Sequence, residues 1–269
     1  MDNEQKGFTI DLEQIVAAKF KGKKLPGFVI PFLKRFLHVD MLNEFFARGH
    51  EGIEFCREAT KYLGITLDVE GLENLPADGS RCTVVCNHPL GGIDGVSMAG
   101  LIGGHFGEVS LPVNDFLMAV PGLRPLGIPI NKVGGQARNL PELIREAFAK
   151  DRPVLIFPAG LCSRKIDGKV QDLPWTKTFI THSVSNGRTI IPVHFKGRNS
   201  ARFYRLARLR KWLRIKFNIE MITLPDELYK ARGKTFKVVI GKPIPPETFD
   251  SSKTPLQWAA WVRGIVYEL

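Results

Sequence analysis

A chain of 269 residues, 44% hydrophobic and 24% charged, has the composition and length of a globular protein with a substantial core, which excludes a disordered tail, a collagen-like fibre and a stapled miniprotein. Its 38 Lys+Arg against 27 Asp+Glu give a net charge of +11, so it attracts something anionic: nucleic acid, a membrane surface, or a phosphorylated or acidic partner. The longest stretch without Asp, Glu, Lys or Arg is Gly95 to Gly107, thirteen residues, whereas a spanning helix needs roughly 20, so no segment is expected to cross a bilayer.

The opening residues (MDNEQKGFTIDLEQ) lack a basic region followed by an apolar run, and no secretory leader is expected. Ile10 to Tyr62 reads as helical, with Phe45, Ile53, Phe55, Ala59 and Tyr62 broadly helix-spaced. Within it, Leu25 to Leu37 (LPGFVIPFLKRFL) is apolar and aromatic, and Pro26 and Pro31 are expected to break it into short pieces. From Ile65 short apolar runs alternate with longer periodic ones. Strands are predicted near Ile65–Glu70, Cys82–Asn87, Glu108–Val113, Gly127–Asn131, Val154–Pro158, Thr189–Phe195 and Phe236–Ile240. Helices are predicted over Gly95–Gly104, Gly135–Lys150, Trp175–Ser185, Ala201–Lys216 and Thr254–Glu268. This alternation implies an α/β fold, a mostly parallel sheet flanked by helices, over residues 65–269, preceded by a helical segment over 1–64. A site in such a fold lies beyond the carboxyl ends of strands. Cys56, Cys82, Cys86 and Cys162 contain no CxxC pair and read as reduced thiols, neither a disulfide frame nor a zinc site.

Two segments carry chemistry. In Thr83–Asp94 (TVVCNHPLGGID) an apolar strand ends in Asn-His-Pro, a Gly-Gly turn follows, and Asp94 opens a helix. That order brings the Asp94 carboxylate back toward the His88 ring, where it would fix the tautomer and raise the basicity of the other ring nitrogen. Such a pair suits deprotonation of a substrate hydroxyl. The plain alternative makes Asp94 a helix cap and His88 a turn residue. In Val154–Arg164 (VLIFPAGLCSR) another apolar strand ends in a Pro/Gly turn whose backbone N–H groups at Gly160, Ser163 hydroxyl and Arg164 guanidinium, followed by Lys165, suit a phosphate or carboxylate. The alternative is an ordinary strand exit with solvated basic residues.

Together these segments resemble the lysophospholipid and glycerolphosphate acyltransferase superfamily. Its His-x4-Asp motif follows an apolar strand, and a Phe-Pro-Glu-Gly-type motif lies about seventy residues on. The Asn-His-Pro opening, the Phe-Pro-x-Gly turn and the Ile190-Ile191-Pro192-Val193 strand match in order from about Ile65 to Pro245. Gly127-Ile128-Pro129-Ile130-Asn131-Lys132 stands where the family has its middle motif, which makes Lys132 the candidate acceptor-binding cation. Two departures stand out: His88 and Asp94 are separated by five residues, and Ala159 replaces the motif Glu. The variant motifs are similar to a bacterial hemolysin-like branch, some of whose members acylate lyso-aminolipids.

The resemblance implies an O-acyltransferase. His88 and Asp94 would be the catalytic pair, and Lys132, Gly160, Ser163 and Arg164 would meet the acceptor. The acyl donor would be a thioester of coenzyme A or acyl carrier protein, with no metal and no other cofactor. The acceptor would be a lyso-aminolipid or, alternatively, lysophosphatidate or glycerol phosphate. His38, His50, His105, His182 and His194 have no ligand spacing and read as structural or surface residues.

Lys196–Lys216 holds nine Lys/Arg and no acid. Phe203, Leu206, Leu213 and Phe217 are expected on one helical face, with Tyr204, Leu209 and Trp212 flanking it. Arg205, Arg208, Lys211 and Lys216 are therefore candidates for docking on an anionic membrane or on a carrier protein. The alternatives are a solvated face of the main domain and, for the charge alone, nucleic acid, for which no helix-turn-helix, RNP-like or zinc-finger signature is present. The expectation is a peripheral protein on the cytoplasmic face of the inner membrane; the alternative of another class is a non-catalytic lipid- or nucleic-acid-binding protein.

Overall fold

The computed structural model describes residues 8–19, 26–77, 81–113, 115–129 and 140–269. Four helices come first: α1 (Leu12–Lys19), α2 (Val29–Phe36), α3 (Val39–Phe46) and α4 (Gly52–Tyr62). Pro31 does not break α2. It is the third residue of that helix, where its missing N–H would have had no intrahelical acceptor.

Then follow β1 (Thr66–Glu70), β2 (Cys82–Cys86), α5 (Gly92–Phe106), β3 (Leu111–Val113), α6 (Asp115–Met118), β4 (Gly127–Pro129), α7 (Leu140–Ala149) and β5 (Val154–Ile156). A hairpin, β6 (Arg164–Ile166) and β7 (Lys169–Gln171), precedes α8 (Thr178–Ser185), β8 (Thr189–Lys196), α9 (Ala201–Trp212), α10 (Leu224–Lys230), β9 (Thr235–Ile240) and α11 (Pro255–Glu268). All seven expected strands are present. The hairpin and α10 were not expected from the sequence.

Five strands form the central sheet in the order β1-β9-β8-β2-β5, parallel except where β8 meets β9. A single parallel bridge, Ser110 to Val154, carries the β3–β4 pair alongside β5. β2 is buried at every position, as expected of a central parallel strand covered on both faces. Cys82, Val84 and Cys86 face the α4/α5 side with Ile191, Val193 and Phe195, while Val85 and Ile190 face α8 and α11 with Phe179, Trp258 and Val262.

The helices before residue 64 share the first of these cores: Phe45, Phe55, Cys56 and Ala59 pack in it with the sheet. The change at residue 64 is one of secondary structure, not of core. α4 lies close on α5, because a Cβ at Gly103 would sit 2.7 Å from Ile53 Cγ1. α11 starts at a capping box, with Thr254 Oγ1 accepting from Gln257 N–H and Gln257 Oε1 accepting from Thr254 N–H.

Candidate active site

β2, β5 and β8 all end on one side of the sheet, and the two sequence segments leave there. Asn87 extends the β2–β8 ladder with its side chain: Oδ1 accepts from Phe195 N–H (2.7 Å) and Nδ2 donates to the Phe195 carbonyl (3.0 Å). His88 comes next. The chain then turns through Gly91, at φ +87° and ψ −101°, a conformation that L side chains rarely adopt. A Cβ at Gly91 would also meet Cys162 Sγ at 2.8 Å.

That turn returns the chain to the ring. Asp94, fully buried in the first turn of α5, places Oδ2 3.2 Å from His88 Nδ1. The two atoms are in ion-pair contact without the alignment of a full hydrogen bond. Leu90 N–H and Gly95 N–H, each at 2.9 Å, hold the two carboxylate oxygens. Five intervening residues therefore close the pair, with Gly91 absorbing the longer loop. Burial opposes a charge on His88, but the Asp94 carboxylate, by charge and contact, and then Asp172 outweigh it and raise its pKa above the ordinary value.

The second segment meets the first through its backbone: Ser163 N–H donates to the His88 carbonyl at 2.7 Å. The Phe157 ring lies 4.4 Å from the imidazole. The anion cradle expected in this turn is filled by the protein's own groups. Gly160 N–H donates to the Phe157 carbonyl (3.0 Å) and Ser163 Oγ–H to Asp172 Oδ1 (2.5 Å). The Arg164 guanidinium donates to the Cys162 carbonyl (2.5 Å) and to Glu220 (2.7 Å), and it lies over the Phe203 ring. Buried polar groups must find partners, and here those partners are internal. Arg164 is a structural bolt in this conformation, with the fully buried Glu220 also holding Arg210 Nε at 3.0 Å. Lys132 lies outside the described residues.

Cations do gather beside the His88–Asp94 loop. A cleft of about 1040 Å³ reaches from Leu90 to the β6–β7 hairpin, α9 and α10, and Lys165, Arg198, Arg205, Arg208, Lys230 and Lys234 line it. Of its acids, Glu227 is spent on Ser200, accepting from the backbone N–H (2.7 Å) and the hydroxyl (2.5 Å). Arg205 and Arg208 thus face the cleft, while Lys211 and Lys216 lie farther along the exposed end of the basic segment.

The expected apolar face of that segment is split. Phe203 and Tyr204 are buried, the helix stops at Trp212, and Arg214 takes a left-handed turn at φ +53°. Trp212 is 76% exposed, Leu213 and Phe217 are exposed as well, and so are Phe28 and Phe32 of the α2 region. Arg202, stacked 4.6 Å over Phe36, ties the start of α9 to α2.

Sequence reasoning missed several residues that build the site: Asp172, Glu220, Asn87 and Asn199, whose Nδ2 donates to the Pro89 carbonyl (3.2 Å). Asn87 was visible in the Asn-His-Pro motif, whereas the others become neighbours only through folding. Burial pushes Cys56 and Cys162 up to about 12 and Cys86 well above its ordinary value. His194, lowered to about 4 by burial and by Lys196, is a neutral packing residue against Tyr267.

The acyltransferase family model matches residues 15–267, a span that includes the strand-end histidine and its buried carboxylate. The chain belongs to that acyltransferase family. It is 48% identical over 267 residues to a lyso-glycine lipid O-acyltransferase of Phocaeicola vulgatus, covering 97% of this chain and 95% of that one. It is 47% identical to the enzyme of the same name from Bacteroides thetaiotaomicron, covering 97% and 98%. The 1-acyl-sn-glycerophosphate (LPA) acyltransferase of Thermotoga maritima shares the fold, with a TM-score of 0.50 and 21% identity over 88% of this chain and 94% of that one.

Proposed function

We propose that this protein moves a fatty acyl group from an acyl thioester to the hydroxyl of a lyso-aminolipid, with a lyso-glycine lipid as the acceptor. The observation that carries the reading is the His88–Asp94 pair, 3.2 Å apart at the carboxyl end of the sheet. Nearly full-length identity to two lyso-glycine lipid O-acyltransferases supports the acceptor.

In this reading Asp94 engages Nδ1, so Nε2 is the base. Nε2 takes the acceptor's hydroxyl proton as the oxygen attacks the thioester carbonyl. The C–O bond forms, the C–S bond breaks, and the imidazolium returns its proton to the departing thiolate. Positioned acid–base help of this kind contributes roughly 10²–10⁴-fold. The donor is a thioester of coenzyme A or of acyl carrier protein, and no other cofactor is proposed. The basic cleft beside Leu90 would receive the anionic part of a substrate.

The protein would work as a peripheral enzyme at the cytoplasmic face of the inner membrane. Among the described residues no helix is long and apolar enough to cross a membrane. Exposed Phe28, Phe32, Trp212, Leu213 and Phe217, with the cations around them, suit an anionic surface. Neutralising Arg205, Arg208, Lys211 and Lys216 together is expected to weaken sedimentation with anionic vesicles. Undiminished vesicle binding would move the docking surface to Phe28 and Phe32.

The decisive assay follows labelled acyl chains from acyl thioesters to lyso-glycine lipid, with lysophosphatidate in a parallel reaction. Diacylated glycine lipid should form with the parent protein and be lost with His88→Ala. Product only from lysophosphatidate would replace the acceptor. Product undiminished in folded His88→Ala would remove His88 as the base.

A further inference from the structure

The mechanism above uses Asp94 and leaves a second buried carboxylate unaccounted for. Asp172 is 1% exposed and follows β7 on the hairpin that packs against the catalytic loop. Three neutral donors converge on its carboxylate. The His88 backbone N–H lies 3.2 Å from both oxygens, Ser163 Oγ–H 2.5 Å from Oδ1, and Trp175 Nε1–H 2.9 Å from Oδ2. Its main chain is held as well: its N–H donates to the Tyr267 hydroxyl (2.7 Å), and Arg263 Nη2 donates to its carbonyl (2.8 Å).

The unusual point is what the carboxylate lacks. Arg263, the nearby guanidinium, grips the carbonyl and not the carboxylate, and among the described residues no cation forms an ion pair with Asp172. A buried carboxylate without a cation is costly even when neutral donors surround it. Arg164, whose charge also acts on His88, is spent on Glu220. The remaining cation that this pocket can generate is the imidazolium of His88, present only while a proton is in transit. Asp172 also brings a carboxylate to the Phe157–Ser163 turn, where Ala159 offers none.

We propose that Asp172 is a positioning residue for acyl transfer: it fixes the backbone of His88 and supplies the second negative charge that favours the imidazolium formed when Nε2 takes the hydroxyl proton. The inference rests on the reading of His88 as the base. The charged groups acting on the ring are Asp94 from α5, Asp172 from the hairpin and Arg164 from β6, and the buried thiols of Cys86 and Cys162 lie in the field of Asp94; Tyr267 and Arg263 of α11 hold Asp172. Asp94 and Asp172 both push the His88 pKa up, and burial and Arg164 push it down.

The test is the pH profile of kcat/KM for acyl transfer in Asp172→Asn. Catalysis needs neutral His88, so losing the Asp172 charge is expected to move the acid limb to lower pH and to lower the plateau kcat roughly ten-fold, with the acceptor KM little changed. A folded Asp172→Asn protein with the parental acid limb overturns the proposal, whatever its plateau. Should that variant not fold, Trp175→Phe decides. It removes one neutral donor and keeps the charge, so the stronger field at His88 is expected to move the acid limb up, and an unmoved limb overturns the proposal. His88→Ala separates the two readings. Full turnover there sinks the base and Asp172 with it, whereas a dead His88→Ala beside an unmoved Asp172→Asn limb sinks Asp172 alone.

Discussion

The two ends of the parallel sheet each hold a basic side chain, and they satisfy it in opposite ways. Where β2, β5 and β8 begin, Arg188 is fully buried and donates to the carbonyls of Cys82, Phe148, Lys150 and Arg152 and to the Thr83 hydroxyl. Among the described residues no carboxylate accepts a hydrogen bond from it. Burial lowers its pKa to about 10, which leaves it charged at neutral pH. Where the same strands end, the His88 ring lies against Asp94 and the His88 backbone N–H donates to Asp172. Carbonyl dipoles are enough to hold a cation whose proton never leaves. A ring that gains and loses a proton, as proposed for His88, needs carboxylates, whose field changes the balance between its two states. One end is built to hold the strands together and the other to let a charge appear.

That contrast breaks if the two ends respond alike to mutation. The largest expected effect is on chemistry: His88→Ala should lower acyl transfer by roughly 10²–10⁴-fold while its urea midpoint stays near the parent's. Next comes Arg188→Met, which orphans several buried carbonyls and should cost on the order of 3–5 kcal/mol of stability in urea titrations. Its turnover per folded molecule should be unchanged. A variant of Arg188 that folds well but turns over slowly would show the ends to be coupled.

The smallest effect is the most discriminating. His88 is raised above its ordinary 6.5, so its protonated form is favoured in the folded state. The stability this provides is fully present below pH 6.5 and lost as pH rises through the folded value. In the proposed mechanism activity runs the other way, because the base must be neutral, so its acid limb should lie above 6.5. The stability difference between parent and His88→Ala should therefore shrink as pH rises. A difference that grew with pH would mean that the carboxylates do not favour the imidazolium.

Much of this was legible in sequence for a physical reason. Strands buried on both faces read as short apolar runs, so β2 and β8 were placed within a residue or two. The His88–Asp94 pair was legible because both members sit on one local turn. The β6–β7 hairpin was signalled by Asp167-Gly168, which take φ +48° and +82°, the dipeptide of a tight turn, but its strands are three residues long and polar. The ion pair of Arg164 is not legible in sequence, because its partner, Glu220, lies 56 residues away. Asp172 meets His88 across 84 residues, and nothing in its own stretch of sequence gives a sign of that meeting. The basic segment was read as one amphipathic face, whereas packing took Phe203 inward beneath Arg164 and left Trp212 outside.

The left-handed turn at Gly91 bears on how relatives of this chain can be recognised. A text pattern that demands four letters between histidine and aspartate passes over it, although the ring nitrogen and the carboxylate are 3.2 Å apart. One glycine at φ +87° makes up for the added letter. Divergent members are therefore better sought by the separation of two atoms in space than by a fixed count along the chain, with tolerance for length wherever a glycine stands between the two residues.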